Sequence, residues 1–241
     1  MSEPLSPEEF LAACTVDPGV FELRPDYRAM LVVADDLSPS RESGTETANA
    51  LIAAAEEQAR TLVAESPVQD LAHIAAWRDA YRGFGAKPQR TRNSLEALTR
   101  RAGQGLPRVN ALTDIYNAIS VAHQIPLGGE DFGAYQGPAR LVRAVGDEPF
   151  ATIANGEPVT EYPDSGEVVW CDEMGVTCRR WNWRQGPRTG LTDETTTALF
   201  ILDALSPVTD EELVAAADAL AEALEQLGED VTVTHRLIGA L

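Results

Sequence analysis

Residues 108–132 decide the fold and read Arg-Val-Asn-Ala-Leu-Thr-Asp-Ile-Tyr-Asn-Ala-Ile-Ser-Val-Ala-His-Gln-Ile-Pro-Leu-Gly-Gly-Glu-Asp-Phe. Apolar side chains recur in the first half of this stretch at helical spacing, at Leu112, Ile115, Ile119 and Ala122. This periodicity predicts a core helix over residues 110–123. Pro126 and the pair Gly128-Gly129 then predict a turn after the helix.

The same helix carries three polar side chains, Asn110, Asp114 and Asn117, at spacings of four and three residues. These spacings place all three on one face of a helix. Such a face can line a polar pocket, but it can equally be an ordinary face in contact with solvent.

Outside this stretch, hydrophobic periodicity predicts helices at residues 6–13, 45–64, 68–81, 95–101 and 210–227. Alternating or β-branched runs predict strands at 20–23, 28–34, 139–145, 167–171, 176–181, 197–205 and 231–237. The helices at 45–64 and 68–81 are expected to pack antiparallel. Because helices and strands do not alternate regularly, we predict an α+β fold, a mixed sheet with packed helices, in one domain with helical terminal extensions.

The formal net charge of −19 argues against a nucleic-acid partner, because affinity for phosphates comes largely from Lys and Arg. The charge is unevenly distributed, however. Residues 78–108 hold eight basic side chains against Asp79 and Glu96, a local net charge of +6. Arginine suits bidentate phosphate contacts and stacking on bases, so this stretch is a candidate RNA-binding segment. A solvated, arginine-rich composition is the alternative.

A second unusual stretch, residues 178–197, reads Cys-Arg-Arg-Trp-Asn-Trp-Arg-Gln-Gly-Pro-Arg-Thr-Gly-Leu-Thr-Asp-Glu-Thr-Thr-Thr. Tryptophan beside arginine is typical of base stacking next to phosphate contacts. Trp181 and Trp183 are spaced as in a strand, so their side chains should point the same way and could instead be plain core.

The chain has three cysteines, Cys14, Cys171 and Cys178. This number is odd and is too small for a disulfide framework. Cys171 and Cys178 flank a predicted hairpin turn and could face each other across it, but no zinc-ligand spacing appears, so no metal is expected. The first four residues are acidic, and no apolar run of signal or membrane-spanning length follows. We therefore expect a cytoplasmic protein without a membrane partner.

Two motifs resemble those of a known family. The run from Asn110 through Asn117 to Asp131 is similar to the Asn-Pro-hydrophobic-hydrophobic-Asp helix and Pro-x-His-x-Phe-Asp turn of the phenylalanyl-tRNA synthetase beta-subunit B3/B4 domain. Residues 190–195, Gly-Leu-Thr-Asp-Glu-Thr, are similar to that domain's Gly-Val-Thr-Asp-Glu-Thr turn. The resemblance covers residues 80–205 as the tRNA-binding and editing core. Residues 1–79 then supply N-terminal strands and helices of the same globule, and residues 206–241 a C-terminal helix and edge strand.

In that family the domain hydrolyses wrongly aminoacylated tRNA, and the helix Asn that matches Asn117 belongs to the editing pocket. Two departures stand out. Gly128 occupies the position of the editing-site His, and residues 185–189 replace a Gly-Gly-Glu-x-Ser run. Free-standing versions of the domain, thought to act on tRNA in trans, resemble this chain in the Leu-Pro-Arg-Val-Asn and Arg-Arg-Trp-Asn-Trp-Arg-Gln stretches. Since no ATP-binding motif is present, we expect no aminoacylation.

The resemblance implies a trans-acting deacylase in which water attacks the ester between an amino acid and the terminal ribose. We expect catalytic roles for Glu130 or Asp131, which could orient water, and for Asn117, which could hold the carbonyl oxygen. The predicted substrate contacts are Asn110, Asp114, Gly128, Gly129, Trp181, Asn182, Trp183, Arg184, Gln185 and Thr189. The predicted RNA contacts are Arg82, Lys87, Arg90, Arg92, Arg100, Arg101 and Arg108.

The partner expected on this interpretation is the aminoacylated 3′ end of tRNA, bound by a monomer with no cofactor and no DNA. Two other classes stay open. One is a non-catalytic RNA-binding module that lost hydrolysis with the missing His. The other is an amino-acid or small-molecule sensor that uses the same pocket, although a sensor has no use for the basic stretch.

Overall fold

The computed structural model describes residues 5–240. Its strands, in chain order, are β1 (Thr15–Val16), β2 (Arg28–Asp35), β3 (Leu127–Asp131), β4 (Arg140–Arg143), β5 (Phe150–Ala154), β6 (Glu157–Glu161), β7 (Val168–Cys171), β8 (Val176–Arg179), β9 (Arg184–Gln185), β10 (Ala198–Ala204) and β11 (Thr232–Gly239). Its α-helices are α1 (Pro7–Ala13), α2 (Pro18–Leu23), α3 (Glu42–Glu65), α4 (Ala72–Gly83), α5 (Ser94–Ala102), α6 (Ala111–His123) and α7 (Asp210–Leu224).

The strands form two main sheets and a separate hairpin. One sheet has the order β11-β2-β10-β3 and is antiparallel throughout, and the other has the order β1-β4-β7-β8-β9 with β1 and β4 parallel. Strands β5 and β6 pair only with each other. The mixture of helices and strands confirms the α+β prediction and the single domain.

The two central strands of the four-stranded sheet, β2 and β10, are buried on both faces, which explains why they are almost continuously apolar. On β10, Leu199 and Ile201 join one core cluster with Trp77 and Trp170, while Phe200 and Leu202 join another with α6 and α7. The alternation follows from the two-residue period of a strand. Strand β3 lies at the edge of this sheet, opposite β11.

Local sequence signals set the helix boundaries. Ser6 and Glu9 form a capping box at α1, and Thr209 forms one with Glu212 at α7. Asn110 caps α6, since its side chain accepts a hydrogen bond from the Thr113 amide at 2.8 Å. Each cap satisfies backbone donors that a helix N-terminus leaves free.

Four sequence expectations are wrong. Residues 20–23 are helical rather than extended, because Asp17 caps a helix with Pro18 at its first position. Helix α3 packs on α6 through Ile52, Ala55 and Ala59 instead of on the helix at 68–81. The predicted glycine turn at residues 128–129 is part of β3. Cys178 pairs across the hairpin with Trp170, so Cys171 does not face it.

The strand predicted at 176–181 ends at Arg179, because Arg180 and Trp181 both adopt positive φ. The predicted edge strand at 231–237 is confirmed as β11. None of the helices within residues 5–240 is long and apolar enough to cross a bilayer. The expectation about residues 1–4 and a signal peptide lies outside the described residues.

Gly129 allows β3 to pack closely at the sheet edge. A Cβ there would lie 2.7 Å from Leu191 Cδ1 and 2.8 Å from Phe200 Cε1, and Phe200 is fully buried. We expect Gly129→Ala to lower the free energy of unfolding by about 1 to 3 kcal/mol, the usual cost of overpacking a core.

Gly103→Ala is the matched control for this substitution. Gly103 ends α5 with α-helical dihedral angles, and a Cβ there would contact nothing within 4 Å. Its effect should stay within about 0.5 kcal/mol, as for other surface changes. Equal denaturation midpoints for Gly129→Ala and the parent protein would contradict the proposed close packing.

Candidate functional site

A cavity of about 310 Å³ opens at the free edge of β3, between the two main sheets. We call it the edge cavity. Helix α5 covers it with Ala97 and Leu98, and α6 contributes Tyr116 and Asn117. Its remaining lining residues come from β3, β7, β8, β10 and the segment around β9: Leu127, Gly128, Glu130, Trp170, Cys178, Trp181, Asn182, Trp183, Arg184, Gln185, Ile201 and Asp203, with Ser94 and Pro107 at its border.

The tryptophans divide between core and rim. Trp181 is fully buried and packs edge-on against Trp77 and Tyr27, with ring centroids 5.1 and 5.0 Å apart. Trp183 is only partly buried. The Cζ atoms of Arg180 and Arg184 lie over its ring, 4.5 and 4.8 Å from the ring centroid. Both tryptophans line the cavity, but one lies in the core and the other at the rim. The reason is that Arg180 and Trp181 adopt positive φ angles, which end the strand before Trp183.

Glu130 is the buried acid of the edge strand. Its carboxylate accepts a hydrogen bond from Thr189 Oγ1 at 2.9 Å and another from the Tyr135 hydroxyl. Burial raises the pKa of Glu130, and these hydrogen bonds partly offset the rise. Next to it, a Cβ on Gly128 would lie 2.8 Å from Gln185 Nε2, which donates to the Gly129 carbonyl at 3.1 Å. A side chain at position 128 would therefore displace Gln185.

Asp203 is a second buried acid in the cavity, and sequence reasoning missed it. Its two oxygens accept hydrogen bonds from the Tyr27 hydroxyl at 2.5 Å and from Asn182 Nδ2 at 3.2 Å. Burial raises the pKa of Asp203 from 3.8 to about 7, although these hydrogen bonds act in the opposite direction. A usable signal was present, since Asp203 is the one charged residue in the apolar run at 198–205 and shares the parity of Leu199 and Ile201.

A basic groove adjoins the edge cavity. It is lined by Arg90, Arg92, Arg100, Arg101 and Gln104, together with Ala97 and Trp183, which also line the cavity. The four arginines are exposed. Glu96, which is fully buried, lies within 3.0 Å of Arg78 and Arg100 and 3.6 Å of Arg92, so it fixes the direction of these side chains.

The structure separates the predicted substrate residues into two groups. Those that line the edge cavity are Asn117, Gly128, Glu130, Trp181, Asn182, Trp183, Arg184 and Gln185. Gly129 and Thr189 do not line the cavity but form hydrogen bonds with residues that do: the Gly129 carbonyl accepts from Gln185, and the Thr189 hydroxyl donates to Glu130. Asp131 lies on the opposite face of β3 from Glu130 and accepts a hydrogen bond from Thr195 Oγ1 at 2.7 Å.

Asn110 and Asp114 do not reach the edge cavity. They line a separate polar groove with Asn49 and Arg108. The Asp114 carboxylate accepts from the Val109 amide at 2.9 Å and lies 3.3 Å from Arg108, while Asn110 caps the helix. The shared face that the spacing predicts therefore extends across two different grooves.

The predicted RNA contacts also divide. Arg90, Arg92, Arg100 and Arg101 converge in the basic groove. Arg82 pairs with Asp79, and Arg108 pairs with Asp114 in the polar groove. Lys87 is exposed. Only four of the seven predicted RNA contacts therefore lie together on one surface, the basic groove.

Asp203 makes stability depend on pH. Its folded pKa of about 7 exceeds its ordinary value of 3.8, so the fold binds this proton more tightly than the unfolded chain does. The contribution is complete below pH 3.8 and is lost as pH rises to 7. Between pH 5 and 7 the free energy of unfolding should fall by up to about 1.4 kcal/mol per pH unit from this group.

We expect Asp203→Asn to flatten this profile, because the amide stays neutral as the protonated acid does. Denaturant unfolding at pH 5, 6, 7 and 8 measures it, with exposed Asp218→Asn on α7 as the control that keeps the parent profile. Parallel profiles for Asp203→Asn and the parent would show that the carboxyl group is not the cause.

Comparison with known proteins gives a family. The B3/4 domain model matches residues 76–229. A solved N-terminal fragment of the phenylalanyl-tRNA synthetase beta-subunit from Pyrococcus horikoshii is similar over 93% of this chain and 53% of that chain, at 12% identity and a TM-score of 0.47. The chain thus spans about half the length of that fragment. No curated protein sequence matches it significantly. Because the family model covers more than half of the 241 residues and includes both motifs noted in the sequence, the chain belongs to the B3/4 domain family.

Proposed function

We propose that this protein hydrolyses the ester bond of aminoacyl-tRNA in trans. One observation carries the proposal: an apolar cavity with a buried carboxylate opens directly beside an arginine groove, and Trp183 and Ala97 line both. The groove suits the phosphates of a tRNA 3′ end, and the cavity suits the amino acid attached to it. The family's resemblance to the synthetase beta-subunit fits a tRNA substrate.

The groove can bind phosphate in spite of the net charge of −19. Arg90 and Arg101 make no ion pair with Glu96, and their exposed guanidinium groups can form bidentate phosphate contacts. Trp183 is partly exposed at the junction, and a terminal base can stack on its ring or on the Arg180 and Arg184 guanidinium groups that lie over that ring. Local charge rather than net charge thus governs binding, because the Debye length in physiological salt is about 8 Å.

The cavity supplies a base for the chemical step. A carboxylate with a raised pKa accepts a proton from water more readily than an ordinary one, and Glu130 is such a group. Glu130 removes a proton from water as the water oxygen adds to the ester carbonyl carbon. The tetrahedral intermediate then collapses, the bond to the ribose oxygen breaks, and the proton passes from Glu130 to that oxygen. The products are the free amino acid and tRNA with its terminal hydroxyl restored.

Asn117 and the glycines at 128–129 can stabilise the carbonyl oxygen as it gains negative charge. Asn117 lines the cavity from α6, close to the edge strand. Gly128 leaves room at this edge, because a larger residue would collide with Gln185. An oriented donor at such a position contributes about 3 to 4 kcal/mol in known hydrolases.

We expect the double variant Arg90→Ala/Arg101→Ala to weaken tRNA binding and to reduce the slope of log K against log salt by up to about two charge units. Arg41→Ala/Arg60→Ala makes the same change in charge at exposed arginines outside the groove. Filter binding of tRNA at several salt concentrations compares the two. Equal losses in both variants would mean that the groove is not the binding surface.

We expect Glu130→Gln to lower the hydrolysis of aminoacyl-tRNA by about a hundredfold or more, with unchanged tRNA affinity. The Tyr135 and Thr189 hydroxyls can rotate to satisfy the amide, so the fold should persist. Single-turnover release of a labelled amino acid, across a panel of mischarged tRNAs, measures the rate.

Asp131→Asn tests the other candidate base. Its side chain faces away from the cavity, so the rate should stay within about twofold of the parent, since no proton transfer is removed. A large loss in Asp131→Asn with a normal Glu130→Gln would exchange the two assignments. A parent protein that binds tRNA but hydrolyses none of the panel would replace the hydrolase with a binding module, the alternative favoured by Gly128 at the position of the family's His.

A further inference from the structure

The buried acids of this protein differ in whether they have a cationic partner. Among the described residues, 5–240, six acidic side chains are buried. Four of these pair with arginine: Glu96 with Arg78, Asp114 with Arg108, Glu167 with Arg179 and Asp172 with Arg188. Within residues 5–240, the other two have no Lys, Arg or His nitrogen within 4.0 Å. They are Glu130 and Asp203, and both line the edge cavity.

A buried carboxylate without a cation is costly, because desolvation is not repaid by an ion pair. The chain supplies arginines to its other buried acids, and Arg188 lowers the pKa of Glu130 from a greater distance. Asp203 receives no such contribution, which indicates that a group outside the chain completes it. Within the described residues, no group of three or more His, Cys, Asp or Glu side chains could hold a metal ion. The missing cation is therefore better sought among organic ligands.

Asp203 has capacity for such a ligand. Its hydrogen bonds with Tyr27 and Asn182 use one acceptor site on each oxygen, and an ionised carboxylate has about four. Both donors are neutral, so neither cancels the charge. Arg184, the one arginine of the described residues that lines the cavity, pairs with Glu161 and not with Asp203, and burial raises the pKa of Asp203 to about 7.

The cavity walls suit a cation with a carbonyl beside it. Trp170 and Trp181 line the cavity beside Trp183, whose ring already contacts the guanidinium groups of Arg180 and Arg184, as aromatic faces do with cations at short range. The indole nitrogens of Trp170 and Trp181 are buried without a hydrogen-bond partner of good geometry, although the Trp170 indole is close enough to Asp203 to lower the pKa of that carboxyl group. A ligand carbonyl can accept from such a donor.

We propose that the edge cavity binds a ligand bearing a primary ammonium group, and that Asp203 forms the ion pair with it. The inference rests on the proposed function only in taking this ligand to be an aminoacyl group. The ammonium is either the α-ammonium of the amino acid or one on its side chain, and the same carboxylate recognises both.

The register separates the roles of the two acids. Glu130 pairs with Leu199, and Asp203 lies four residues farther along β10, on the same face. At about 3.3 Å per residue, the two α-carbons are roughly 13 Å apart along the strands. A single ammonium cannot contact both. Asp203 therefore anchors the ligand, and Glu130 stays available for water.

Binding of small probes tests this without any tRNA or turnover. Three of the four tryptophans line the cavity, so tryptophan fluorescence reports occupancy, and calorimetry provides a second readout. Leucinamide carries an α-ammonium, Nα-acetyl-lysinamide carries only a side-chain ammonium, and Nα-acetyl-leucinamide carries no charge. We expect at least one cationic probe to bind tenfold or more tightly than the neutral probe, and the one that does identifies the source of the ammonium.

The variant Asp203→Asn should remove this preference by tenfold or more, while Asp218→Asn should keep it. Equal affinity for cationic and neutral probes in the parent protein, which needs no variant to fold, would overturn the inference. So would the absence of binding by both cationic probes, or an unchanged preference in a folded Asp203→Asn protein. Binding of a cationic probe together with no hydrolysis of any aminoacyl-tRNA would refute the hydrolase and leave the ammonium site standing.

Discussion

The antiparallel register between β10 and β3 is the constraint on which the site depends. It places Glu130 opposite Leu199 and Gly128 opposite Ile201. Directly opposed residues share a face of a sheet, so Glu130, Ile201 and Asp203 lie on one face, and all three line the edge cavity. A slip of one residue would turn Glu130 toward the helical core and Asp131 toward the cavity. Such a slip would be costly, because it would bury the Glu130 carboxylate among the apolar side chains of the helical core.

The edge position of β3 matters as much as its register. A central strand would have a neighbour on each side, whereas β3 leaves one backbone edge open to α6, β9 and the cavity. Gln185 satisfies part of this edge by donating to the Gly129 carbonyl. The glycines allow the close approach of Phe200 on one face and Gln185 on the other. Two glycines in sequence thus serve packing rather than a turn.

Arginine is used in two ways in this acidic chain. Buried arginine-acid pairs such as Arg179 with Glu167 stabilise the second sheet near the cavity. Glu96 instead orients arginines at the surface, where their charge stays available to a ligand. Acidic ends and a basic middle therefore coexist because exposed charges act over a short range in salt. The net charge of the whole molecule is therefore a poor guide to the kind of partner it binds.

The sequence by itself determined the elements whose physics is local. Helical periodicity predicted α6, and the alternating run at 231–237 predicted β11. The family resemblance placed Asn117 and Glu130 near a common site. The sequence also identified the basic stretch at residues 78–108, because the local density of charge can be counted from the sequence alone.

Only the tertiary structure decided how those elements meet. Helix α3 packs on α6 instead of on the neighbouring helix at 68–81. Asn110 and Asp114 line the polar groove whereas Asn117 lines the edge cavity, because one face of α6 extends along both. Asp203 joined the site through the pairing of β10 with β3, whose residues lie 67 to 75 positions earlier in the chain than their partners. Such long-range pairing depends on the burial of whole sheet faces, which no local pattern specifies.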